Sequence, residues 1–344
     1  MQKPVLVIKL GTAVITGSDG LISRTVIKKV AKGIAKLSET YDVVLVSSGA
    51  VGSGKAFIKN YKGTLTERKA AAAVGNPVLI RLYQKFFATY NIPVAQALCE
   101  RHHFSNRLQF LQLKETFATF WNSGIVPVVN ENDLVSNVEL KFSDNDELAT
   151  LIAIGFNAAT LIICTAVGGF MNHEKQVIRV IDKIDETVMG YVKIDKSSVG
   201  LGGMVSKITF AKLAVSLGIR VIICGLSVSN PFAAAMDGNN GTTFIAQRSD
   251  LKARQKWLVS GSITLGSITV DKGAIRALTE GRSLLTVGIK KVEGKFSNGE
   301  VVQLMDEDKN IIGVGKAKLA ADNIQESLFE KNVVAVRAND IVIF

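Results

Sequence analysis

The sequence predicts an α/β protein in two parts: a three-layer α/β/α sandwich around a mainly parallel sheet, then a small β-barrel-like domain. Three observations predict it. Short apolar runs without polar alternation recur through the first 225 residues, which is how strands covered on both faces read. Helix-length stretches separate them, as in a parallel sheet flanked by helices on each side. Near Arg248 the pattern changes to short strand-like runs punctuated by Gly, Asn and Asp turns, the mark of a compact all-β unit.

In order, the apolar runs are 5–10, 43–46, 92–98, 125–129, 161–164 and 220–224. Between them lie the helix-compatible segments 26–40, 66–90, 104–123, 146–156 and 207–217. Beyond Trp257 the strand-like runs are 266–271, 287–292, 299–305, 311–317 and 333–337, with helix-like pieces near 272–279 and 323–329. A polar, basic stretch at 249–256 joins the two parts. The expected division is a first domain over 1–250, a hinge over 251–264 and a second domain over 265–344.

The bulk composition narrows the function classes. No apolar run reaches the roughly 20 residues that a membrane-spanning helix needs, and the short apolar run after Lys3 reads as a buried first strand rather than a secretory signal. Cys99, Cys164 and Cys224 are few and scattered, so they are expected to be reduced core residues of a cytoplasmic protein. The net charge is +11, but its distribution matters more than its size. Residues 1–250 hold 27 basic against 19 acidic side chains, and residues 251–344 hold 14 against 11. No dense basic run marks a nucleic-acid arm, and small anionic substrates explain the excess equally well.

The chemistry is sought beyond the carboxyl ends of the strands, where ligands lie in open α/β sheets. The first strand ends in Lys9-Leu10-Gly11-Thr12. A lysine at an apolar strand end either meets an anion or snorkels to the surface, and Gly11 lets backbone N–H groups approach a phosphate. The second strand runs into Ser47-Ser48-Gly49-Ala50, small and hydroxyl residues that suit a carboxylate or phosphate. After residue 129 come Asn130-Glu131-Asn132-Asp133 and, further on, Asp144-Asn145-Asp146-Glu147. Such clusters can hold a substrate ammonium or orient lysines, or serve as turn and helix caps, the alternative strongest for Asp144. Val199-Gly200-Leu201-Gly202-Gly203-Met204-Val205-Ser206-Lys207 is a glycine-rich loop leading to a lysine at a helix start. A cation there opposes the helix dipole, so a phosphate is the better explanation. Two bland readings complete the survey: His102 and His103 lie on a helix approach, and Trp121 and Trp257 anchor core or hinge.

Together the IKLGT, SSGA, VPVVNENDLV, SDNDELA and GGMVSK segments resemble the amino acid kinase family, and within it the glutamate 5-kinases. KARQKWL, ITVDKGA and VEGKFSNGEVV are similar to that group's hinge and C-terminal PUA domain. The resemblance implies ATP with Mg²⁺ as phosphoryl donor, L-glutamate as acceptor, proline as feedback inhibitor and a homo-oligomer, dimer or tetramer. It implies that Lys9 and Lys207 flank the transferred phosphoryl group while Asp146 holds both lysines. Ser48, Gly49, Asp133 and Asn145 would line the glutamate site. Gly11, Thr165, Ala166, Gly202, Gly203, Met204 and Ser206 would join Lys9 and Lys207 around the nucleotide. Departures stand at Ala166, where the family usually has Asp, at Leu201, where it has Thr, and at Asn172-His173-Glu174, which replaces an Asp/Pro-rich stretch. Two rival expectations remain open: an RNA-binding PUA protein with a decayed kinase part, and a kinase of the same fold with another acceptor.

Overall fold

A computed structural model describes residues 3–17, 21–134, 144–193, 202–249, 266–328, 330 and 332–343. Leu201, Trp257 and the hinge proposed at 251–264 lie outside these residues. The chain forms two compact units, one of Met1–Glu100 with Glu115–Ser249, the other of Arg101–Lys114 with Asp250–Phe344.

In the first unit the elements run β1 (Val5–Leu10), α1 (Thr12–Ile15), α2 (Arg24–Leu37), β2 (Asp42–Ser47), α3 (Ala50–Gly54), α4 (Leu65–Phe87) and β3 (Val94–Cys99). Next in the chain are the short α5 (His102–Ser105) and α6 (Arg107–Asn122), of which the residues up to Lys114 are grouped with the second unit. The first unit resumes with β4 (Val126–Glu131), α7 (Asn145–Gly155), β5 (Thr160–Cys164), β6 (Val180–Ile181) and α8 (Glu186–Lys193). The unit ends with α9 (Gly202–Ser216), β7 (Arg220–Cys224), α10 (Pro231–Met236) and β8 (Thr242–Phe244). The sheet order is β3-β4-β2-β1-β5-β7-β8-β6. The first six of these strands pair in parallel, and β8 runs antiparallel to β7. All six apolar runs thus become strands of one sheet.

Side chains alternate across a strand, and that alternation assigns the two helical layers. Leu6, Ile8 and Leu10 of β1 join Val43 and Leu45 of β2 and Val126 and Val128 of β4 in one apolar cluster with α2, α4 and α10. Lys9 is therefore turned to the opposite face, where α7 packs on β1 and on α9. Because β1 lies centrally and the chain proceeds to both sides of it, the loops after β1, β2, β4 and β5 converge at one edge.

α4 needs explanation, since Pro77 sits inside its 23 residues. Its start is secured by a capping box between Thr64 and Glu67, and backbone N–H groups of Thr64 and Lys62 hold the Glu67 carboxyl below its usual range. Its middle is clamped to α3: a Cβ on Gly54 would stand 1.9 Å from the Ala71 carbonyl, and one on Gly75 would stand 1.8 Å from the Ala50 carbonyl. Trp121 anchors α6 by donating its indole N–H to the Val43 carbonyl at 3.1 Å and stacking edge-on against Phe156.

The second unit is a six-stranded sheet, β9 (Gly266–Val270), β10 (Leu284–Leu285), β11 (Ile289–Gly294), β12 (Val301–Met305), β13 (Ile311–Ala317) and β14 (Val334–Ile343). It adds α11 (Lys272–Thr279) and α12 (Ala321–Glu326). The order is β10-β14-β13-β12-β9-β11, and only β9 with β12 pairs in parallel. Its own core includes Ile268, Val270, Leu284, Val302, Leu304, Ile324 and Val336.

Candidate active site

The site is built where the strands stop. Lys9, the second-last residue of β1, is 5% exposed, which rules out the snorkelling alternative. Its Nζ lies 2.7 Å from Asp146 Oδ1, and Lys207 Nζ lies 2.8 Å from Asp146 Oδ2. Asp146 itself is 1% exposed in the first turn of α7. One buried carboxylate thus holds two ammonium groups. A buried charge is tolerated only when paired in this way.

Asp144 does two things. Its Oδ1 caps α7 by accepting from the Asp146 and Glu147 backbone N–H groups at 2.8 and 3.1 Å, and its Oδ2 accepts the Ser206 hydroxyl at 2.5 Å. The cap and the functional alternatives are therefore one arrangement: the carboxylate that starts α7 also fixes the first turns of α9. Lys207 stands in the second turn of α9, with Gly202 and Gly203 opening the helix and Met204 half-buried.

Beside this triad Asn145 donates its Nδ2 to Ser48 Oγ at 2.9 Å, to Asn130 Oδ1 at 3.1 Å and to the Ser47 carbonyl at 3.3 Å. Ser48 follows β2, and the next residue, Gly49, has φ of +104°, a left-handed backbone that favours glycine. A Cβ at Gly49 would also press on Ile15 and Ile22 at 2.8 and 2.9 Å. Asp133 follows β4 and is half-buried, two residues beyond the buried Glu131. Asn132, between them, is tied to β3 through its N–H to the Cys99 carbonyl and its amide to Glu100.

On the other side of β1, Gly11 lies beside Lys9 and near the end of β5: a Cβ on it would stand 3.5 Å from Lys9 Nζ and 3.7 Å from the Cys164 carbonyl. Thr165 begins the loop after β5 and donates its N–H to the Cys224 carbonyl at 2.8 Å. Ala166 is exposed on that loop. The loop lies so close to the end of β7 that a Cβ on Gly225 would stand 2.9 Å from Gly168 Cα. The unusual Asn172-His173-Glu174 sequence makes a tight turn in which Asn172 Oδ1 accepts from the Glu174 and Gln176 N–H groups. Cys164 and Cys224 face each other in register beneath the site, free and buried. Their mutual hydrogen bond and burial hold the Cys164 thiol well above its usual range.

Lys9, Ser48, Asn145, Asp146, Ser206 and Lys207 are thus brought into one connected network. Thr165 and Ala166 stand at the neighbouring strand end, and Asp133 stands after β4. Sequence reasoning counted Asn130 only as one member of a polar cluster and passed over Asn76 and Tyr83 of α4. A polar residue inside an alanine-rich helix seven positions from a buried tyrosine was the available signal. Among the described residues no three or more His, Cys, Asp or Glu side chains stand together as a metal cage. Both oxygens of Asp146 face lysines. These residues therefore do not fit a resident metal.

Comparison with known proteins agrees with this geometry. The family model described as the amino acid kinase family matches residues 4–225, and that of the PUA domain matches residues 266–339. A protein of Kosmotoga olearia named glutamate 5-kinase is 37% identical, covering 90% of this chain and 87% of that protein. One of the same name from Haemophilus influenzae is 33% identical over 100% of both chains. Carbamate kinase from Giardia lamblia bound to AMP-PNP shares the fold, with a TM-score of 0.51 at 19% identity over 71% of this chain and 99% of that one. By the family model and by these relatives, the chain belongs to the amino acid kinase family.

Proposed function

We propose that the chain is a glutamate 5-kinase, transferring the γ-phosphoryl group of ATP to the γ-carboxylate of L-glutamate and so catalysing the first step of proline biosynthesis. The observation that carries this reading is the shared clamp of Lys9 and Lys207 on Asp146, beside the Ser48–Asn145 pair. A carboxylate with a reference pKa near 4.3 is already ionised at neutral pH, so no general base is needed. One γ-carboxylate oxygen forms a bond to the γ-phosphorus while the bond to the β–γ bridging oxygen breaks. ADP leaves with the electron pair, and L-glutamyl 5-phosphate remains. The chemical demand is alignment of two anions and neutralisation of the moving phosphoryl charge. Lys9 and Lys207 meet it from two sides, with Asp146 fixing their spacing. Ser48, Gly49, Asp133 and Asn145 receive glutamate. Thr165, Ala166 and the Gly202–Lys207 turn receive the nucleotide beside Gly11.

Mg²⁺ belongs to this reading as a companion of the ATP phosphates, whose oxygens and water are its customary ligands. Proline as feedback inhibitor, a dimeric or tetrameric homo-oligomer and a cytoplasmic location rest on the family resemblance. No helix among the described residues is long and apolar enough to cross a membrane. Nucleic-acid binding through the PUA domain is the corresponding proposal for the second unit, and a catalytic domain ending near residue 250 is the proposal for the first. ADP release measured with glutamate, aspartate, carbamate and UMP tests the function. Turnover with glutamate alone is expected. Turnover with a different acceptor, or none by the folded protein, overturns it.

A further inference from the structure

We propose that two residues of α4, Asn76 and Tyr83, are positioning residues that set the hydrogen-bond polarity of the acceptor site. The inference rests on glutamate being the acceptor. Ser47 and Asn130 continue the alternation that places Val43, Leu45, Val126 and Val128 against the layer containing α4. At these two strand ends the apolar stripe turns polar, and α4 answers with two polar side chains two turns apart. Asn76 Oδ1 accepts from Asn130 Nδ2 at 3.2 Å, and Tyr83 Oη lies 2.7 Å from Ser47 Oγ. Both residues are buried: Asn76 is 9% exposed and Tyr83 is 0%.

The chain of donors has one direction. Ser47 Oγ has a single proton and gives it to the Ser48 carbonyl at 3.0 Å, so Tyr83 donates to Ser47. Asn130 Nδ2 is committed to Asn76, which turns Asn130 Oδ1 towards the Glu131 N–H and Asn145 Nδ2. Asn145 therefore gives its N–H groups to protein acceptors and keeps its Oδ1 for an ammonium. Ser48 Oγ, having accepted from Asn145, keeps its proton for a carboxylate. An amino acid offers both groups. Asn76 thus decides, from the opposite helical layer, which end of the Asn145 amide meets substrate.

Steady-state kinetics on the full chain test this. Asn76→Leu keeps the number and branching of heavy atoms and removes the acceptor. The glutamate KM is expected to rise about tenfold, the effect of leaving a buried donor unpaired, with the ATP KM and kcat nearly unchanged. Asn76→Asp restores the acceptor and should return the glutamate KM towards wild type. Tyr83→Phe should raise it less. Glutamate-induced thermal stabilisation should fall in the same order. An unchanged glutamate KM in folded Asn76→Leu, or equal rises for ATP and glutamate, overturns the proposal. If Asn76→Leu fails to fold, an unchanged glutamate KM in Tyr83→Phe overturns it. A wild type inactive on glutamate instead refutes the proposed function, and the acceptor then identified takes glutamate's place in the same comparison.

Discussion

The two sides of the strand-end site are built differently. Around Ser48 and Asn145 the support comes from side chains: Asn76 is paired with Asn130 and Tyr83 with Ser47, and the Asn145 amide joins the two pairs. Around Thr165 and Ala166 it comes from backbone. Thr165 donates its N–H to the Cys224 carbonyl, and Gly225 closes on Gly168. Lys29 of α2 holds the next loop by donating to the Leu226, Ser227 and Val228 carbonyls at 2.9, 3.5 and 3.3 Å. Buried, fully connected polar networks specify one geometry, which suits discrimination among small acceptors. Support from backbone asks little of individual side chains. The lesson is that substitutions on the first side should change which acceptor is used, and those on the second should change how tightly the nucleotide binds.

The largest effect is expected at the centre, where both sides meet. Asp146→Asn leaves two adjacent lysines without their counter-charge. It should abolish turnover and lower the unfolding free energy by about 3–5 kcal/mol, the cost of breaking a buried pair; chemical denaturation and ADP release read the two effects separately. Wild-type stability in that variant would show that the clamp is not the organising element. Lys9→Ala and Lys207→Ala come next. Each should fold and lose roughly 10²–10³ in kcat, the scale for removing one charge-stabilising donor. Retained kcat in either would remove that lysine from the mechanism.

Ser48→Ala sharpens the contrast between the sides, since it should raise the glutamate KM several-fold, in line with about 1 kcal/mol for a lost hydrogen bond, and leave the ATP KM alone. A matching rise in both constants would mean that the two sides are not separable. The smallest effect concerns Ala166, exposed on the nucleotide side. Ala166→Asp should lower the Mg-ATP KM by a few-fold, a fraction of the energy of a partly exposed charge interaction, without moving the glutamate KM. Identical kinetics in the two enzymes would show that Ala166 is a neutral replacement and that the rebuilt Asn172–Glu174 turn has no use for an acid there.

Much of this was legible in the chain. The runs 5–10, 43–46 and 220–224 read as strands because strands buried on both faces need unbroken apolar sequence. Lys9 and Lys207 were visible because a lysine at an apolar strand end or a helix start contradicts its surroundings. The short elements β6, β8, β10 and α10 left no such mark. The strands among them are held by their neighbours in the two sheets and α10 by packing on α2 and β7, not by their own periodicity. The segment expected at 207–217 begins at Gly202, because glycines argue locally against helix while the Asp144–Ser206 contact holds the first turns.

Local chemistry alone therefore pointed to the element types, the layered class and Lys207, since each depends on residues a few positions apart, while Lys9 stayed open between an anion and the surface. Local chemistry did not say which carboxylate would hold those lysines; Asp146 was named there by the family resemblance alone. Asp144, Asp146 and Glu147 are near-equivalent as neighbours in the chain, and only folding α7 against β1 and α9 turns Asp146 to both ammonium groups while Asp144 caps the helix. The same holds for Asn76 and Asn130, 54 residues apart. Their pairing exists only because α4 and β4 pack together, and the donor direction it imposes on Asn145 is a property of that packing.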